Sequence, residues 1–210
     1  MSKQEDFIAL LLPAAAAMQA RIGLPGSVMI AQACAETGYG ANVTSDCHNG
    51  KNSLNLFNIK GQNGPAGGVY ALTFEFTKDG KGYQEYDWFR AYHSYQESFD
   101  DYASLVLNDP VYTRAVAVKC DPCKYAEMLW ECGYATDPDY PKTLDWIMSN
   151  FNLIERVSQL ADEIENTPSD WAKDAWEQCL KAGVFDGAKP HDALTREMLA
   201  VILVKLGLVK

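Results

Sequence analysis

Apolar residues between Phe7 and Ala20 fall at helical spacing, whereas between Val28 and Ala35 they take nearly every position. The first pattern predicts an amphipathic helix over roughly 3–20, opened by Ser2 and Glu5 at capping-box spacing. The second predicts a helix packed on almost all sides and stopped by Gly38 and Gly40, which free the backbone for left-handed geometry. A Gly23-Leu24-Pro25-Gly26 turn separates the two. The chain reads as helical to about residue 65, with a polar loop at Asn42 to Asn52 followed by Leu54 to Lys60. Beyond Gly61, loop-rich sequence gives way to the β-branched and aromatic run Val69 to Thr77. Lys78-Asp79-Gly80-Lys81 carries a turn signal, and Gly82 to Tyr92 returns as the partner strand. A β-hairpin therefore interrupts a helical protein.

Helical periodicity resumes at Ser94, which has capping-box spacing to Glu97, with Phe99, Tyr102, Ala103, Val106 and Leu107 as the apolar stripe. Two more helices are expected at about 121–132 and 140–150, the second capped by Asp139 with Pro141 in its first turn. These elements make a domain over 1–157. Residues 158–169 are acidic, end in Asn-Thr-Pro-Ser, and read as a linker. A tail over 170–210 shows Trp171, Ala175, Trp176, Cys179 and Leu180 at helical spacing. It turns at Gly183 to Gly187 and restarts at Thr195 with Met198, Leu199, Ile202, Leu203 and Leu206. So short a tail buries little core by itself and is expected to dock on something.

Composition narrows the function classes. The 210 residues are 48% hydrophobic and 11% aromatic, which is globular, and the formal charge is −10. Nucleic-acid binding is excluded by that balance, because phosphate recognition rests on clustered Lys and Arg. No stretch approaches the roughly 20 apolar residues of a membrane span. Phe7 to Ala20 superficially resembles a signal peptide, but Glu5 and Asp6 stand where a positive region belongs and Pro13 divides the run. The expectation is synthesis in the cytoplasm and action on a target after release. Among six cysteines, Cys120-x-x-Cys123 is a single pair near Cys132, and Cys47 adjoins His48. Zinc sites usually need two such pairs. Reduced thiols are the expected state, and no metal or organic cofactor is implied.

The residue with the clearest chemistry is Glu36. A carboxylate at the end of a buried helix is partly desolvated, which raises its pKa and keeps it protonated nearer neutrality. A general acid for glycosidic cleavage needs that property. The competing reading is a paired structural Glu. Tyr134, in a Gly-Tyr-Ala turn, either presents a phenol free of helical constraint or fills a helix corner. As bare aromatics Tyr39, Phe57 and Tyr140 read as core. Asn55 reads as a turn residue, and Asp137 as a cap.

Four stretches, in order, resemble the peptidoglycan-cleaving endo-β-N-acetylglucosaminidases of glycoside hydrolase family 73. They are Ser27 to Gly40, Asn55-Leu56-Phe57-Asn58-Ile59-Lys60, Phe89-Arg90-Ala91-Tyr92 through Ser98-Phe99, and Gly133-Tyr134-Ala135-Thr136-Asp137-Pro138 with Tyr140. Asn58 departs from the family's usual glycine, and Asn is the residue best able to replace glycine in left-handed geometry. Ala35 replaces a commonly larger residue. The short tail resembles a phage-lysin cell-wall-binding segment or half of an S-layer-homology unit; wall binding and simple docking both remain open for it.

The resemblance implies a mainly α (α+β) fold: a lysozyme-like catalytic domain with an inserted β-hairpin lobe, plus a small C-terminal helical domain. It implies Glu36 as the general acid and places Glu75 where the family often carries a second acidic residue, with Glu85 and Asp87 as alternatives. Where the substrate's own acetamide assists, Tyr134 orients it and one carboxylate suffices. The resemblance also implies a sugar-binding hydroxyl at Tyr134, apolar faces for pyranose rings at Tyr39, Phe57 and Tyr140, and an N-acetyl contact at Asn55, each beside its structural alternative. The implied function is hydrolysis of the bond between N-acetylglucosamine and N-acetylmuramic acid in bacterial peptidoglycan, in the manner of a phage endolysin. A muramidase, a lytic transglycosylase and an inactive wall-binding module are the rival readings. Oligomeric state is not legible.

Overall fold

The computed structural model describes residues 2–76, 81–184, 189–192, 196–205 and 208; the side chains at 75, 76, 196–198 and 205 are outside that set. The chain forms two compact units, Met1–Ala161 and Asp162–Lys210. The first is built around one helix.

That helix is α2, Gly26–Thr37, in which ten of twelve residues are buried. It packs against α1 (Lys3–Ile22), α5 (Pro122–Glu131) and α6 (Tyr140–Asn150). Helix α1 turns Phe7, Ile8, Leu11, Ala15 and Met18 inward, residues spaced three or four apart along one face. Complete burial of side chains such as Ile8 and Leu11 contributes about 1.5–3 kcal/mol each. Gly26 permits the close approach of the two helices: a Cβ there would lie 2.5 Å from the carbonyl oxygen of Ala15. Ser2 caps α1 by accepting from Glu5 N–H at 3.2 Å, as its spacing predicts.

Between α2 and the hairpin the structure departs from the expectation of helix. Residues 38–67 form a long irregular segment carrying three isolated β-bridges. Side chains hold its backbone: Asp46 accepts from His48, Asn49 and Tyr70 N–H, and Ser98 accepts from Leu56 N–H. The hairpin follows as β1 (Gly68–Phe76) and β2 (Gly82–Arg90), antiparallel with Gly68 opposite Arg90 and Phe76 opposite Gly82. Its base is anchored by buried Val69, Ala71, Phe89 and Ala91. Of the predicted hairpin turn, residues 78–80 lie outside the described residues.

Helix α3 (Tyr95–Asn108) begins at Ser94, which accepts from Glu97 N–H at 3.2 Å. A 3-10 turn at Pro110–Tyr112 and the short α4 (Thr113–Ala117) precede α5. Asp139 does stand before α6, but its φ of −91° and ψ of 0° keep its carboxylate off the first-turn amides, and it pairs with Lys142 instead. Helix α7, Leu153–Asn166, runs through most of the stretch that reads as a linker, because Leu153, Val157 and Ala161 bury one side of it.

In the second unit α8 spans Lys173–Lys181 and α9 spans Arg196–Lys205. The predicted start at Thr195 and the position of Leu206 lie outside the described residues. No described side chain of residues 162–210 is buried, and Trp171 is 90% exposed.

Candidate active site

Glu36 occupies the last turn of α2, where Gly38 ends the helix at φ 56°. Its side chain is half-buried and accepts a hydrogen bond at Oε2 from Asn58 Nδ2, 3.1 Å away. Thr44 Oγ1 donates to Asn58 Oδ1 at 3.1 Å, which fixes the amide with its N–H toward the carboxylate. Asn58 itself sits at φ 51°, in the left-handed region that Asn tolerates better than other side chains. Burial raises the Glu36 pKa above the ordinary carboxylate value, and the Asn58 bond partly opposes the rise. The C-terminal end of a helix, with its partial negative charge, disfavours an ionised carboxylate in the same direction.

A cleft of about 360 Å³ opens beside Glu36, lined by Phe57, Ile59, Lys60, Arg90, Tyr102, Leu105, Tyr112 and Tyr134. Tyr102 is fully buried and stacks on Phe57 at 4.3 Å between ring centroids. Tyr134 meets Tyr102, Tyr112 and Tyr140 at 6.0–6.1 Å. The end of α5 explains its placement. Gly133, at φ 85°, donates to Trp130 O, and Tyr134 N–H donates to Leu129 O, the paired bonds of a Schellman motif. Burial and the neighbouring Tyr140 and Glu36 push the Tyr134 phenol well above its usual pKa, so its hydroxyl keeps its proton.

The cleft's cations are both paired. Lys60 meets Asp87 at 2.9 Å, and Arg90 Nη1 donates to both oxygens of Asp101 at 2.8 Å, with Tyr92 Oη adding a 2.6 Å bond to Asp101. Lys60 and the Trp88 N–H hold the Asp87 carboxyl below its usual range.

Of the sequence-predicted site residues, Glu36, Phe57 and Tyr134 line this one cleft. Tyr140 is buried behind it, where its hydroxyl accepts from Gln32 Nε2 at 2.9 Å. Two further predicted sugar contacts, Asn55 and Tyr39, also stand away from the cleft. Asn55 is fully buried, and its amide donates to Ile59 O and Arg90 O while accepting from Phe57 and Ile59 N–H, which leaves no atom for a ligand. Tyr39 packs on Phe151 at 5.8 Å and does not line the cleft. Glu75 lies in β1 opposite Tyr83, one residue from the strand's end; its side chain is outside the described set. Glu85 is exposed on β2.

The contacts that sequence reading missed are Asn58 to Glu36, Gln32 to Tyr140, and the lining by Lys60 and Arg90. Gln32 precedes Glu36 by four residues, a helical turn, which was the available signal for the second. Among the described residues no group of His, Cys, Asp and Glu is arranged to hold a metal ion.

The family described as "Glucosaminidase: Mannosyl-glycoprotein endo-beta-N-acetylglucosaminidase" matches residues 12–153, more than half of the chain. This chain belongs to the glucosaminidase family, glycoside hydrolase family 73. Its match lies inside the first unit, Met1–Ala161, and contains Glu36 and every residue lining the cleft. The glucosaminidase domain is 34% identical over 155 residues to peptidoglycan hydrolase FlgJ of Pseudomonas aeruginosa, covering 73% of this chain and 38% of that protein. It is 38% identical to an autolysin of Enterococcus faecalis over 71% of this chain and 20% of that one. The chain therefore spans less than half the length of these curated relatives. Among solved structures, a mutant peptidoglycan hydrolase from Sphingomonas sp. A1 is 38% identical with a TM-score of 0.62, covering 74% of this chain and 99% of that chain. The lysozyme-like, mainly helical fold with one small antiparallel sheet accords with that similarity.

Proposed function

We propose that the glucosaminidase domain hydrolyses peptidoglycan at the β-1,4 bond between N-acetylglucosamine and N-acetylmuramic acid, with Glu36 protonating the departing oxygen. The observation that carries this reading is the environment of Glu36. Its carboxyl is half-buried at a helix end, oriented by Asn58, and borders a tyrosine-walled cleft of about 360 Å³. A neutral carboxylic acid is the state burial favours, and proton donation to the leaving oxygen is the step that glycoside cleavage needs. Phe57 and Tyr134 give the cleft apolar faces suited to sugar rings, and the Tyr134 hydroxyl supplies a donor for the acetamide or a ring hydroxyl. Glu75 is the proposed water-activating carboxylate, on the strength of its family position in the hairpin.

The test is digestion of purified walls followed by analysis of the new reducing ends. N-acetylglucosamine ends support the assignment. Muramic ends convert it to a muramidase, and anhydro-sugar ends to a lytic transglycosylase. Glu75→Gln should lower turnover sharply; full activity would transfer the second role to the substrate's own acetamide.

The finer part of the reading is phage-driven lysis from the cytosol. It rests on the resemblance of the C-terminal tail to a phage-lysin wall-binding segment; Phe7 to Ala20 lies within α1, with Phe7, Ile8, Leu11, Ala15, Ala16 and Met18 in the core of the folded domain. Cytosolic expression should leave cells intact until the membrane is permeabilised, and spontaneous lysis would contradict that setting. Wall binding by the second unit is proposed on its exposed Trp171. Pull-down of residues 1–210 on insoluble walls should weaken with Trp171→Ala.

A further inference from the structure

A second cavity, of about 230 Å³, opens at the N-terminus of α2. Ser27 lines it, is 1% exposed, and has a side-chain hydroxyl without a hydrogen-bond partner. The first turn of a helix leaves four N–H groups without intrahelical acceptors. The capping position is Pro25, which has no N–H and whose side chain makes no capping bond. Gly26 N–H donates to Gln19 Oε1 at 3.1 Å, Val28 N–H reaches Pro25 O at 3.1 Å, and Met29 N–H makes the first regular helical bond, to Pro25 O at 3.2 Å, which leaves Ser27 N–H.

The other polar groups at this cavity are donors as well. Lys119 Nζ gives one hydrogen to Ile22 O at 2.6 Å and keeps two. Ser158 Oγ accepts from Gln19 Nε2 at 3.4 Å, so its own proton is available. No acidic side chain lines the cavity; the neighbouring Asp121 is engaged by Lys124. Pro25, Pro122 and Ile154 supply apolar wall. In a chain of net charge −10, this is a local concentration of positive potential, composed of an ammonium, a helix N-terminus and unspent hydroxyls.

We infer that this cavity binds a small organic carboxylate, its oxygens on Ser27 Oγ, Ser27 N–H and Lys119 Nζ and its short aliphatic part against Pro122 and Ile154. The site lies roughly 14 Å along α2 from Glu36, so the ligand touches none of the groups assigned to glycan cleavage. It stands independently of the proposed activity.

The experiment titrates the ¹⁵N-labelled full chain with sodium butyrate, and in separate arms with sodium phosphate and sodium chloride, following the Ser27 amide. Butyrate should move that resonance saturably with a Kd of about 10 mM or tighter. Ser27→Ala and Lys119→Gln should each weaken binding about tenfold, the loss expected for one charge-assisted hydrogen bond. Ser27→Ala should fold as the parent does, since it deletes a buried hydroxyl that has no partner, and wall hydrolysis should be unchanged. A Ser27 amide that does not saturate, or responds equally to chloride, overturns the site. Variants that bind butyrate as the parent does overturn it too. Phosphate binding as tight as butyrate overturns the carboxylate assignment.

Discussion

Asn58 donates its side-chain amide to Glu36 Oε2 at 3.1 Å from a backbone held at φ 51°. One residue thus satisfies a left-handed turn and sets the ionisation of the proposed acid. The bond favours the charged carboxylate, so it lowers a pKa that burial raises. Asn58→Gly keeps the backbone conformation at no steric cost and deletes the bond to Glu36 together with the one accepted from Thr44. The folded protein should persist, and the alkaline limb of the pH–rate profile should move to higher pH, because Glu36 then stays protonated further up the scale. A limb that stays put or moves down would refute the relationship.

Glu36→Gln should reduce wall hydrolysis by about 100-fold or more, the usual scale for loss of a general acid. The same substitution should stabilise the fold at neutral pH. Because the folded-state pKa of Glu36 lies above its unfolded value, the native state holds the proton longer than the unfolded chain does. The resulting stability is complete below the unfolded pKa and is lost as pH rises through the folded one. A glutamine never ionises and avoids that loss. Denaturant unfolding at about pH 4 and about pH 7 should show the variant's advantage only at the higher pH. Equal stabilities at both would mean that the carboxyl is not desolvated.

Helix ends were the most legible part of this chain, since their signals are local. Ser2 and Ser94 cap as their spacing predicts, Gly38 stops α2, and the apolar density of Val28 to Ala35 correctly announced a helix buried all round. Glu36 was legible for the same reason: its exposure follows from where that helix stops. Residues 38–67 were not legible. Their backbone is held by Asp46, Asn55 and Ser98, whose partners lie up to 42 positions away in the chain. No periodicity encodes such contacts. The stretch 158–166 reads as a linker from its acidic residues, which face outward on α7, although Val157, Leu160, Ala161 and Ile164 carry the helical spacing of its inward side.

Tyr134 and Tyr140 lie 6.1 Å apart between ring centroids and should answer the same substitution differently. Tyr134→Phe keeps the ring contacts with Tyr102 and Tyr112 and removes a donor at the cleft. Its kcat/KM should fall about tenfold, the worth of one hydrogen bond to the substrate, with little change in stability. Among the described residues, Tyr140→Phe removes the partner of the Gln32 amide nitrogen, and the amide oxygen has none in the core. It should cost about 1–3 kcal/mol of folding stability. Thermal unfolding beside steady-state kinetics separates the two, and a stability loss at Tyr134 would recast that residue as core.

Asn55 gives the sharpest contrast between scaffold and ligand roles. Its four hydrogen bonds join the turn at Phe57 and Ile59 to β2 through Arg90 O, and so place Phe57, Ile59 and Lys60 at the cleft. Asn55→Ala removes the acceptor of the Phe57 and Ile59 N–H groups and a donor to Arg90 O, while Ile59 O keeps its bond from Arg90 N–H, and it should destabilise the domain by about 3 kcal/mol. Asn55→Asp offers no rescue, because a carboxylate would face two carbonyl oxygens where the amide donated. A residue that held a sugar would show the reverse: a raised KM with an unchanged unfolding midpoint. Measuring both quantities on Asn55→Ala decides between them, and an unchanged midpoint would remove Asn55 from the scaffold.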